Sequence, residues 1–168
     1  MDPINQFKQE RVADIAAMGR DEELKKKSLD WMLHADKYKY TYNYSWMGRP
    51  IIKYPSDIVA TQQIVWDVKP DLIIETGIAH GGSLILSASL LELIGGTGRV
   101  LGIDIDIREH NRKEIEAHPM MKRIDMIEGS SVADDVMARV RAAAAKAKCV
   151  MVFLDSLQTH DHVLKELE

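Results

Sequence analysis

Apolar residues recur along this chain with two different periods, and the changes of period mark out its elements. Between Pro3 and Met18, the residues Ile4, Phe7, Val12 and Ile15 predict a helix with an imperfect apolar stripe. Asp21 to Lys37 predicts a second helix, heavily charged and anchored by Leu24, Trp31 and Met32. The period then shortens to two. Tyr38, Tyr40, Tyr42, Tyr44 and Trp46 are each separated by one polar residue, which predicts an extended segment with all five rings on one side. Two readings stay open for it: an arm packing its rings on the domain or on a second subunit, and an aromatic wall for an acceptor substrate.

From Pro55 the helical period returns. Pro55, Ser56 and Asp57 start a helix carrying Ile58, Val65 and Val68 on one face, and Lys69-Pro70 ends it. Short apolar runs then alternate with helices. Leu72 to Ile74 predicts a strand that closes on Glu75. Ser83 to Ile94 is an apolar helix stopped by Gly95-Gly96-Thr97-Gly98. Arg99 to Asp104 is a second strand, Arg108 to Ala117 a charged helix, and Arg123 to Ile127 a third strand before Glu128-Gly129-Ser130-Ser131. Ser131 is expected to cap the next helix, in which Val132, Val136 and Val140 recur every fourth residue. Cys149 to Leu154 is nearly all apolar, which predicts a fourth strand buried on both faces and ending at Asp155.

Such alternation predicts an α/β fold, a Rossmann-like parallel sheet built from βαβ units. Residues 1–50 form N-terminal helices and the aromatic arm, and residues 51–168 the sheet domain. Ligands of these sheets bind at the carboxyl edge. Glu75, Asp104, the Gly129-Ser130-Ser131 turn and Asp155 all fall on that edge.

Composition narrows the function without choosing it. With 168 residues, 46% hydrophobic and 29% charged, the chain suits one soluble domain. A net charge of −4 and the lack of a basic block argue against nucleic-acid binding. No apolar run approaches the ~18 residues of a membrane span. Met1 to Arg20 is polar, without the apolar core of a signal peptide. The one cysteine, Cys149, has no internal partner, so the expected location is the reducing cytoplasm.

Asp71 to Ser83 carries the chemistry. A short strand ends in the carboxylate of Glu75, a turn with Gly77, Gly81 and Gly82 follows, and Ser83 opens a helix. Glycines let backbone approach a ligand closely, and the new helix presents unpaired N–H groups. A nicotinamide dinucleotide is the first rival, but its fingerprint is G-x-G-x-x-G, whereas this turn reads G-x-x-x-G-G. Glu75 in front of the turn would repel a pyrophosphate and attract a sulfonium or amino group.

Trp46-Met-Gly-Arg-Pro, Gln63, Lys69-Pro-Asp-Leu-Ile-Ile-Glu-Thr-Gly, Gly81-Gly-Ser, Gly102-Ile-Asp-Ile-Asp, Gly129-Ser-Ser and Leu154-Asp-Ser occur in this order. In these motifs the chain closely resembles the cephalosporin hydroxylase and rhamnosyl O-methyltransferase family, from about Tyr44 onward. That resemblance implies a class I methyltransferase fold and the cofactor S-adenosylmethionine. It implies that Glu75 and the turn Gly77, Gly81, Gly82 and Ser83 hold the methionine part, that Asp104 takes the ribose hydroxyls, and that Ser130 and Ser131 border the adenine. Asp155 is the implied Mg²⁺ ligand. Family members usually carry a histidine three residues after that aspartate; here the position is Gln158, which leaves His160 as the candidate base. The family also implies further chain beyond this point, with another strand, more metal ligands and a hairpin. Without it the fourth strand has an open apolar edge, which predicts a homo-oligomer.

The expected function is therefore S-adenosylmethionine-dependent, Mg-assisted O-methyl transfer to a hydroxylated small molecule or sugar, or hydroxylation of a cephalosporin-type substrate. A non-catalytic cofactor-binding or assembly module and an NAD-dependent dehydrogenase are the alternatives.

Overall fold

Four apolar runs pair side by side in the computed structural model of the chain, which describes residues 2–167. They are β3 (Leu72–Thr76), β4 (Arg99–Asp104), β5 (Ile124–Glu128) and β6 (Val150–Leu154), preceded by a short hairpin of β1 (Tyr44–Trp46) and β2 (Arg49–Ile51). The helices are α1 (Pro3–Arg20), α2 (Glu22–Asp36), α3 (Pro55–Val68), α4 (Gly82–Ile94), α5 (Glu109–Glu116), α6 (Asp134–Ala144) and α7 (His160–Leu167). Residues up to Tyr40 form one compact unit and those from Thr41 onward a second, so the hairpin belongs with the sheet.

The first unit is helical. Asp2 caps α1 through the amide of Ile4, and Asp21 caps α2 through that of Leu24. The stripe of Ile4, Phe7, Val12 and Ile15 is exposed. The expected extended aromatic segment does not form as a whole. Tyr40–Asn43 is a turn of 3-10 helix, and the extended conformation begins only at Tyr44. Tyr40 stacks edge-on against Trp31 at 5.0 Å, whereas Trp46 donates its indole N–H to Ser89 Oγ at 2.8 Å in the second unit. A period of two cannot survive a segment with three residues per turn.

In the second unit the sheet order is β5-β4-β3-β6, all parallel. Parallel neighbours need a crossover, and α4, α5 and α6 supply it. Alternation along β3 sends Ile73 to one face, with Leu84, Ile85 and Leu91 of α4. It sends Leu72 and Ile74 to the other, with Val136 and Val140 of α6. The same alternation puts Glu75 on the α4 side. Asp71 accepts from the amides of Lys148 and Cys149 and so fastens the start of β6 beside β3. These two bonds hold its carboxyl below the usual range.

Three expectations fail locally. Ser131 does not cap α6: the helix starts at Asp134 after Ala133, because Ser131 is drawn toward α7. On α3 the buried positions are Thr61 and Val65, and Val68 is exposed. Strand β6 is not buried on both faces. Among the described residues it is an edge flanked by β3 alone, with Val152 52% exposed. Among the described residues no helix is long and apolar enough to cross a membrane.

Candidate functional site

The carboxyl ends of β3, β4 and β6 stand next to one another, and a cavity of about 610 Å³ opens above them. That volume suits a nucleotide-sized ligand. Its floor is the turn between β3 and α4. Gly77 has φ +89°, and a Cβ there would run into the backbone carbonyl of Asp155. At Gly82 a Cβ would meet the backbone of Pro50. Only glycine lets the turn pass between β6 and the hairpin. Gly81 forms the left-handed N-cap of α4.

Glu75 lies beneath this turn, 2% exposed, and accepts from Ser83 Oγ. Burial pushes its carboxyl up to about 7. The Ser83 bond and the charge of Lys53 pull the other way, while Asp155 adds to the rise.

Asp104, at the tip of β4, takes the amides of Ile78 (2.7 Å) and Ala79 (3.2 Å) on Oδ2, and that of Asp106 (3.1 Å) on Oδ1. Each carboxylate oxygen accepts more than once, so Asp104 still has capacity toward the cavity it lines. The outer side of the turn is clamped. Arg49 donates to His80 O through Nε (3.0 Å) and Nη2 (2.7 Å) and to Asn111 Oδ1 (3.1 Å), while Asn111 Nδ2 donates to Ala79 O at 2.9 Å. Ala79 has φ +46°, a conformation non-glycine residues rarely hold without such support.

Ser83, Ser130, Ser131 and Asp155 also line the cavity, as do Gly77 and Gly82; Glu75 and Gly81 do not. His160 lies outside it. Its ring is 86% exposed and lies beside the Asp161 carboxylate at 2.9 Å. The α7 histidine in the cavity wall is His162, 3.3 Å from both Ser131 Oγ and Glu166 Oε1. Burial raises the Glu166 carboxyl, but hydrogen bonds led by those from Ser131 and Ser156 outweigh it and leave it below the usual range.

For a Mg²⁺ ion the described residues supply the implied ligand Asp155 and do not by themselves complete a site. A hard divalent ion needs about six oxygen ligands. Asp155 Oδ2 is paired with Lys53 Nζ at 3.1 Å, and Oδ1 accepts from Gln158 Nε2 at 3.3 Å. Among the described residues no group of three His, Cys, Asp or Glu could hold a metal. The roles of Lys53, Asn111 and His162 cannot be read from sequence, and Arg49 lies within the Trp46-Met-Gly-Arg-Pro motif without a role assigned to it. Nothing in the spacing of these residues marks the contacts they make.

The profile of the family described as Rhamnosyl O-methyltransferase/CmcI matches residues 38–168. The chain belongs to this family. Rhamnosyl O-methyltransferase of Mycobacterium leprae (strain TN) is 29% identical over 125 residues, which are 74% of this chain and 52% of the relative. The same-named protein of Mycobacterium tuberculosis (strain ATCC 25618 / H37Rv) is 27% identical over 128 residues, covering 74% and 49%. The chain thus spans about half the length of the curated Rhamnosyl O-methyltransferase/CmcI relatives it matches. CmcI solved in its apo form superposes with a TM-score of 0.61 at 25% identity, over 74% of this chain and 50% of that one. CmcI solved with SAH superposes at 0.58 with 22% identity, over 73% and 58%. CmcI with Mg-SAM superposes at 0.57 with 22% identity, over 74% and 50%.

Proposed function

We propose that this chain forms the cofactor-binding core of an S-adenosylmethionine-dependent O-methyltransferase, with a hydroxylated small molecule or sugar as acceptor. The observation that carries this reading is the glycine turn between β3 and α4 facing a cavity lined by Asp104 and Asp155, with the buried Glu75 carboxyl beneath that turn and behind the lining. A dinucleotide pyrophosphate would be repelled there. The names of the mycobacterial relatives and the SAH and Mg-SAM states of CmcI support the same cofactor and a sugar hydroxyl as acceptor.

When bound, S-adenosylmethionine supplies a methyl group made electrophilic by its sulfonium. The residues of this chain bind and orient it. Ionised Glu75 balances the positive charges of the methionine part, and Ser83 holds that carboxylate in place. Asp104 accepts from the ribose hydroxyls while fixing the turn amides, and Ser130 with Ser131 borders the base. Ile51, Ile78 and Ile103 form apolar walls that exclude water. No part of this reading is routed through Mg²⁺. The edge strand β6 supports self-association of the chain.

Isothermal titration with S-adenosylmethionine, SAH and NAD⁺ tests the reading. Micromolar binding of the first two and none of NAD⁺ is expected. Binding of NAD⁺ alone would turn the site into that of a dehydrogenase, and binding of none would leave a non-catalytic assembly module.

A further inference from the structure

Glu166 of α7 is a charged group that the cofactor reading leaves without a task. Its side chain is 2% exposed, and it does not line the cavity. Burial alone raises such a carboxyl, yet its hydrogen bonds hold it below the usual carboxylate range. Three groups converge on it. Ser156, just beyond β6, donates its hydroxyl to Oε1 at 2.8 Å. Ser131, beyond β5, donates to the same carboxylate. His162 Nε2 stands 3.3 Å from Oε1 and 3.3 Å from Ser131 Oγ. Ser131, Ser156 and His162 all line the cavity. The carboxylate thus sits one layer behind the wall, joined to it through these three side chains.

We propose that Glu166 is a positioning residue of the base end: it draws the protons of Ser131, Ser156 and His162 inward, so that these side chains offer the base acceptors and no donors and select an amino purine. An ionised carboxylate only accepts. A serine hydroxyl has one proton and two lone pairs, so one that donates to Glu166 keeps only lone pairs for the cavity. A neutral imidazole with its proton on Nε2, toward the carboxylate, leaves Nδ1 as an acceptor. Charge-assisted bonds are about twice as strong as neutral ones, so a ligand does not readily turn them round. Adenine brings an exocyclic amino group with two N–H donors to such a wall. Hypoxanthine, the same ring system with a carbonyl in that place, sets an acceptor against acceptors.

The inference rests on the S-adenosylmethionine reading of the cavity, with the base against Ser130 and Ser131, and two measurements on the whole chain separate the two. Calorimetry compares SAH with S-inosylhomocysteine, in which oxygen replaces the amino group. Wild type is expected to prefer SAH at least about tenfold. Glu166→Gln frees the hydroxyl protons to turn outward and is expected to bring the preference within about threefold. A merely structural role would weaken both ligands together, and an unchanged ratio therefore overturns the proposal. Equal affinity of wild type for the two ligands overturns it as well. Ser131→Ala removes one acceptor from the wall and should also narrow the ratio, which keeps the test open if Glu166→Gln does not fold. The second measurement reads the ring nitrogens of His162 by nuclear magnetic resonance in the ligand-free chain at about pH 8, where an ordinary imidazole is neutral. A proton on Nε2 alone is expected in wild type, and a mixture of tautomers in Glu166→Gln. If wild type binds SAH while His162 carries a proton on Nδ1, the cofactor reading stands and the proposal falls. If wild type binds neither ligand, the cofactor reading fails and the selection of the base fails with it.

Discussion

Glu75 shows what a single residue contributes and what it costs. Its carboxyl is raised from 4.5 to about 7 by burial. The native state therefore holds its proton more tightly than the unfolded chain, and stability falls as pH rises from about 4.5 to about 7. Above that window the penalty is complete, on the order of 3 kcal/mol for a shift of this size. Glu75→Gln is expected to make the ligand-free chain more stable at about pH 8, read as a higher urea midpoint, and to leave it unchanged near pH 4. A cationic ligand selects the ionised form, so cofactor affinity should rise about tenfold between about pH 6 and pH 8. Calorimetry should show that rise in wild type and a weak, flat profile in Glu75→Gln. Gly77 is constrained more bluntly. Gly77→Ala puts a Cβ into the Asp155 carbonyl at φ +89°, and a loss of about 2–4 kcal/mol in denaturant unfolding is expected.

At the scale of elements, the turn between β3 and α4 works because other elements hold it. Arg49 of β2 and Asn111 of α5 take its outward carbonyls, and Asp104 of β4 takes its inward amides. The planar fork of Arg49 puts Nε and Nη2 on His80 O and Nη2 also on Asn111 Oδ1, a fixed geometry that an ammonium does not copy. Arg49→Lys is therefore expected to speed amide exchange at Ala79 and His80 and to lower cofactor affinity about tenfold, with the sheet intact by circular dichroism. The edge strand invites a second test. Val152→Lys places a charge on an exposed position of β6. It should leave the unfolding midpoint nearly unchanged and shift light scattering toward monomer. The strands themselves were legible in the sequence: β4 runs over the residues its apolar pattern marks, and β3 and β5 differ only at their ends. Local patterning suffices there, because each strand is a short apolar run between breakers. It did not suffice for Tyr38 to Trp46, where a 3-10 turn overrides the alternation, nor for the hairpin, whose residues are chosen by contact with α4.

For the whole molecule, sheet order decides what the site can be. The order β5-β4-β3-β6 brings the tips carrying Asp104, Glu75 and Asp155 together in that sequence, with the serine turn after β5 on the flank. The acids at strand ends could be read from the chain, since each terminates an apolar run. Their partners could not. Lys53 meets Asp155 across 102 positions and Ser131 meets His162 across 31, and no local pattern encodes such meetings. His160 illustrates the limit: sequence distance from Asp155 favours it, whereas the helical turn of α7 directs His162 inward instead.

A co-crystal structure of the chain with SAH tests the central claim most directly. The amino acid part of the ligand is expected over Glu75 and the Gly77 turn, its ribose hydroxyls on Asp104 and its sulfur toward Lys53 and Asp155. A ligand bound elsewhere, or lying in the cavity with its ribose away from Asp104, would contradict it.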